Sequence, residues 1–119
     1  MDAAALLEQL PDAVIACDRD GVIDVWNAAA ALLFGHEAKD AIGQSLDLII
    51  PERLREAHWR GFEAAMAAGA TKHAGKPLTT RAVPKSGEKS YVSMSFGVLH
   101  DAQGRACGAV AVARHAERP

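Results

Sequence analysis

Leu10-Pro11-Asp12-Ala13-Val14-Ile15-Ala16-Cys17-Asp18-Arg19-Asp20-Gly21-Val22-Ile23-Asp24-Val25-Trp26-Asn27 is the stretch whose reading decides the fold. Residues 13–17 and 22–26 are two short strand-forming runs, and Asp20-Gly21 between them is a turn pair suited to positive φ. The stretch reads as an antiparallel hairpin. On its N-terminal side, Ala3, Ala4, Ala5, Leu6 and Leu7 are strong helix formers, and Pro11 stops the helix expected over 3–9. On its C-terminal side, Asn27 can cap a helix over 28–34 that Gly35 ends.

Working outward, a short helix is expected around 37–42, ending at Gly43, and Ser45 can cap one further turn running to Pro51. Pro51 suits the start of a longer helix from 52 to about 68, with Gly69 as its stop. Residues 70–76 read as irregular. Three strands follow, over 78–84, 89–100 and 105–114, separated by Lys85-Ser86-Gly87-Glu88 and Asp101-Ala102-Gln103-Gly104. The middle strand alternates: Val92, Met94, Phe96 and Val98 on one face, and Tyr91, Ser93, Ser95 and Gly97 on the other. That period predicts one buried face and one wet face. A hairpin, a group of helices and a three-stranded meander make an α+β fold. Its five-stranded antiparallel sheet carries the short helices and the one longer helix on one face, with a cleft between that helix and the sheet.

Composition narrows the function. A chain of 119 residues is one domain by size. A net charge of −2 gives no concentrated basic surface for nucleic acid. No apolar run approaches the roughly 20 residues of a membrane-spanning helix, and no secretory signal is visible, so a cytoplasmic protein is expected. Cys17 and Cys107 lack metal or redox spacing and read as reduced, partly buried thiols.

The order of these pieces resembles the PAS family over residues 4 to 115. The resemblance is carried by Leu10-Pro11-Asp12-Ala13-Val14, Asp20-Gly21, Trp26-Asn27-Ala28-Ala29, Leu33-Phe34-Gly35, Ile42-Gly43-Gln44-Ser45, Ile50-Pro51-Glu52 and Lys85-Ser86-Gly87-Glu88. It implies a single PAS sensor domain over 1–119, with an N-terminal helix at about 3–9 and a core at about 11–115. Within the family, the chain is most similar to the haem-binding sensors of the FixL type, whose axial His lies on the long helix with a Gly beyond it. His58 and Gly69 take those places. The resemblance implies haem b held by His58, with Met94 and Phe96 covering the gas-binding side. FixL-type sensors use an Arg on the strand after the long helix to respond to oxygen. The aligned residue is Leu78, and Arg81, three residues on, is expected on the other face. Carbon monoxide, nitric oxide or redox sensing is then as plausible as oxygen sensing.

Read physically, Leu54, His58, Phe62, Ala65 and Met66 share one face of the long helix, which must point at the sheet. A neutral imidazole there can bind iron through one ring nitrogen, or it can be a core histidine bonded to a backbone carbonyl. Gly108, Ala109, Val110, Ala111, Val112 and Ala113 leave volume for a flat ligand, or equally pack against bulky helices. Met94 or His73 are candidates for a sixth iron ligand. Lys72, His73 and Arg81 are cations that propionates would want at the cleft mouth.

No flavin-adduct cysteine stands on an inner helix. Asp18, Asp20 and Asp24 lack the spacing of a calcium loop, and the five His and two Cys lack zinc spacing. No phosphate loop or nucleophile elbow is visible, so no enzyme is expected. The partners expected are a gas or small-molecule ligand, a second copy packed through Leu6, Leu7 and Leu10, and an output protein such as a histidine kinase. No membrane or nucleic-acid partner is expected. The alternatives are a cofactor-free module for dimerisation and relay, and a PAS domain holding another small organic ligand.

Overall fold

The computed structural model describes residues 1–73 and 75–119. The elements run α1 (Ala3–Gln9), β1 (Ala13–Asp18), β2 (Ile23–Trp26), α2 (Ala28–Phe34), α3 (Ala38–Ala41), a 3-10 turn (Leu46–Ile49), a second 3-10 turn (Glu52–Leu54), α4 (Arg55–Ala68), β3 (Leu78–Ala82), β4 (Ser90–His100) and β5 (Ala106–Ala116). The long helix expected from Glu52 thus opens as 3-10 and becomes α-helical at Arg55, ending at Gly69 in the left-handed conformation with φ 73°. Of the stretch read as irregular, Ala74 lies outside the described residues.

The five strands form one antiparallel sheet in the order β2-β1-β5-β4-β3. The hairpin and the meander join through β1 and β5, where Ala13, Ile15 and Cys17 lie opposite Ala113, Ala111 and Ala109. Buried Ile23, Trp26, Ala30, Phe34, Ile49, Val92 and Met94 make the core between this face and the helices.

Small side chains are needed where β1 meets β5. A Cβ on Gly108 would collide with the Cys17 carbonyl. Gly108→Val is therefore expected to cost about 1–3 kcal/mol through overpacking, read as a lower urea midpoint with an unchanged slope.

Two expectations are corrected. The second face of β4 is only partly wet: Tyr91, Ser93, Ser95 and Gly97 are all half-buried. β4 is internal, and Val112 and Val110 opposite Ser95 and Gly97 shield those small residues. Cys17 is buried, but Cys107 is exposed. Pairing with β1 ends at Gly108, which leaves Cys107 beyond the covered part of the sheet.

Asn27 is a polar residue inside this core, 3% exposed. Its Oδ1 accepts from the backbone N–H of Ala30, the cap expected from sequence, and also from Val14. Its Nδ2 donates to the carbonyls of Leu7 and Asp12. One side chain thereby ties α1, β1 and α2 together.

Candidate functional site

Between α4 and the sheet lies a hollow of about 380 Å³. β1 contributes Ile15 and Cys17, and the 3-10 turn and its exit contribute Leu46, Ile49 and Ile50. The second 3-10 turn supplies Leu54, α4 supplies Ala57, His58 and Phe62, β4 supplies Met94 and Phe96, and Ala109 and Ala111 of β5 form the floor. The hollow exists because the floor is alanine where a packed core would have Leu or Ile. Leu78 and Ala57 line it and are themselves exposed, so its mouth lies between β3 and α4.

Five of the residues proposed from sequence meet here: Leu54, His58, Phe62, Met94 and Phe96. Three do not. Met66 is buried but lines no part of the hollow. From Leu54 to Met66 a helix stripe stepping by four drifts about a third of a turn, which carries Met66 off the lining face. Lys72 and His73 are exposed in the segment after α4 and lie outside the lining set. Arg81, expected on the other face from Leu78 but also named as a cation for the cleft mouth, lines the hollow together with Leu78 despite opposite parity. β3 is an edge strand with no neighbour beyond it, so a long side chain can fold around the edge. The Nε of Arg81 is buried with no hydrogen-bond partner among the described residues.

His58 is half-buried, stacked at 29° to Phe62 with ring centroids 6.2 Å apart. Its Nδ1 is buried and has no hydrogen-bond partner among the described residues, so the backbone-carbonyl bond weighed for a core histidine is not made there at that nitrogen. Burial lowers its pKa from the ordinary 6.5, opposed by the charge of Asp47. The ring is neutral at neutral pH, the form a metal or a hydrogen-bonding ligand requires. Because the folded-state value is depressed, the unfolded chain binds the proton first as pH falls below 6.5. Stability is therefore expected to decline as pH falls below about 6.5. His58→Gln should flatten that decline in urea unfolding measured at neutral and at mildly acid pH, and an equal decline in the variant would contradict the assignment.

The Cys17 thiol is pushed up to about 11, mainly by burial, so it lines the hollow as an inert apolar group.

The residues that fix His58 in place were not foreseen. Trp59 Nε1 donates to Asp47 Oδ1 at 2.8 Å, and Arg55 Nε donates to the Ile50 carbonyl at 3.1 Å. The Trp59 ring packs over Gly21, whose φ is 77° and where a Cβ would collide with the indole. These contacts brace the helix against the 3-10 turn and the hairpin. The available signal was a bulky Trp next to His58 but off the apolar stripe. Gly21→Ala is expected to destabilise the fold by about 1–3 kcal/mol. In Trp59→Leu, where that clash is relieved, the cost of Gly21→Ala should shrink; equal costs in both backgrounds, measured by urea unfolding, would contradict the brace.

Comparison with known proteins identifies the fold. A 54-residue stretch, 45% of the chain, is 39% identical to Sensor protein FixL of Bradyrhizobium diazoefficiens, and the chain spans only 11% of that protein's length. The PAS domain of a Colwellia psychrerythraea protein superposes with a TM-score of 0.82 at 20% identity, covering 95% of this chain and 92% of that one. The PAS domain of a LuxR-family transcriptional regulator from Burkholderia thailandensis, solved in complex with ethanol, gives 0.71 at 18% identity, covering 94% and 96%. At such identities the likeness is of fold. The family model described as the PAS fold matches residues 7–118, and the chain belongs to the PAS family.

Proposed function

We propose that this domain is a sensor that binds haem b in the hollow, with His58 as the axial ligand. The observation that carries the reading is a neutral imidazole, short of one hydrogen bond, on the wall of an apolar 380 Å³ hollow. The lining suits the group: Leu54, Phe62, Met94 and Phe96 offer apolar contact to a porphyrin, and Arg81 at the edge offers a cation to a propionate. The partial match to FixL supports the same choice. Bound haem would supply an iron centre able to take a diatomic gas or change redox state. Met94 and Phe96 would restrict access to it, and Trp59 and Arg55 would keep the helix and its His58 ring fixed against the turn. A shift of that helix would move the contacts with Asp47 and the hairpin, and so the surface offered to an output partner such as a histidine kinase. We place the domain in the cytoplasm; no helix among the described residues is long and apolar enough to cross a membrane.

The test is a haemin titration followed in the visible. A saturable one-to-one Soret band supports the reading. A spectrum no different from haemin mixed with an unrelated protein contradicts it and favours the second reading, a cofactor-free module for dimerisation and relay. That alternative is supported by α1, which buries none of its residues and leaves Leu6 48% exposed. Under it, sedimentation should show a dimer that Leu6→Glu dissociates.

A further inference from the structure

Among the described residues, Arg81 is the only Lys or Arg lining the hollow. Its Nε is buried without a partner, and the ion pairs among the described residues do not include it. Glu52 shares an outer groove with Arg81, as do Arg53, Pro51 and Val83, so a carboxylate is near without engaging it. The Nε–H is withdrawn from water and left unpaired, which is costly, and an acceptor oxygen delivered by a ligand removes that cost. The planar fork of Arg matches a carboxylate with two parallel hydrogen bonds. Thr80, the preceding residue, also lines the hollow and carries a hydroxyl that can donate to the same group. A single positive charge suits a monoanion better than a phosphate dianion. The rest of the wall is almost wholly apolar, and 380 Å³ is within the range of sites for small organic molecules.

We infer that the hollow accepts a free carboxylic acid with an apolar body, its carboxylate held by Arg81 at the β3 edge. This rests on the hollow but not on iron, and so stands apart from the haem reading. The same chemistry is present in a haem propionate, and the experiment separates the two sources by leaving haem out. Titration calorimetry on the haem-free protein would compare octanoate with octan-1-ol, which share a body and differ at the polar end. Octanoate should bind at least tenfold more tightly. Arg81→Met should bring octanoate to the level of the alcohol while leaving the alcohol unchanged, and Arg81→Lys should fall between. Thermal melting of each variant, together with its retained affinity for octan-1-ol, would show that the hollow persists. No binding of octanoate, equal binding of acid and alcohol, or a preference that survives Arg81→Met would each overturn the inference. Absence of a Soret band in the haemin titration would leave it standing.

Discussion

Asn27→Ala is expected to lower the unfolding free energy by about 2–4 kcal/mol, a large share of the roughly 5–15 kcal/mol that holds a domain of this size folded. The side chain is 3% exposed and makes four hydrogen bonds, at 2.9 Å from Val14 N–H, 3.0 Å from Ala30 N–H, 2.9 Å to the Leu7 carbonyl and 3.0 Å to the Asp12 carbonyl. Alanine strands all four groups, and the amides of Val14 and Ala30 lie where water cannot readily replace the amide oxygen. The loss exceeds that of an ordinary helix cap because the same residue also closes β1 onto α1. Asn27→Asp provides the contrast. It keeps the acceptor for both amides but sets a carboxylate against two carbonyl oxygens. It should be destabilised at neutral pH and recover in part at acid pH, where the protonated form can donate once. Urea unfolding of the three proteins decides the matter. A loss under about 1 kcal/mol in Asn27→Ala, the size of a bare cap, would show that the bonds to Leu7 and Asp12 carry nothing.

The second large effect concerns the hollow itself. Ala111→Phe places a ring over the alanine floor, between Phe96 on β4 and Ile15 on β1. Haem uptake should fall by more than tenfold, because the ring takes the volume a ligand would occupy. Stability should rise, or at least hold, since burying a phenyl in space already open contributes about 1–2 kcal/mol. The opposite signs make the test sharp. In a floor already packed solid, the same substitution would overpack and cost about 1–3 kcal/mol. Haem titration and thermal melting of one variant therefore report on the same volume from two directions.

Much of this was legible in the chain. The Asp20-Gly21 turn, the Asn27 cap, the stop at Gly69 and the alternation from Val92 to Val98 are local signals, and local signals place elements and faces. The bringing together of Leu54, His58 and Phe62 with Met94 and Phe96 followed from helical spacing and strand parity acting together. What was hidden depended on tertiary position. Met66 shares the stripe by spacing, but helical drift carries it off the lining. The reach of Arg81 around β3 depends on that strand being an edge, which no pattern within residues 78–82 declares. Exposure of Cys107 depends on where β1 stops pairing. The bond from Trp59 to Asp47 joins residues whose separation matches no helical or strand period. Asn27 shows both sides: its bond to Ala30 is a cap readable three residues away, whereas those to Leu7, Asp12 and Val14 need the folded chain.

The most direct measurement is the visible spectrum of haemin with wild-type protein and with His58→Ala, each with and without added imidazole. The account predicts a Soret band in the wild type, its loss or marked shift in the variant, and its return when free imidazole fills the space left by the side chain. A band of the same position and intensity in His58→Ala without imidazole would contradict it, because the iron would then be held by something other than the ring at position 58.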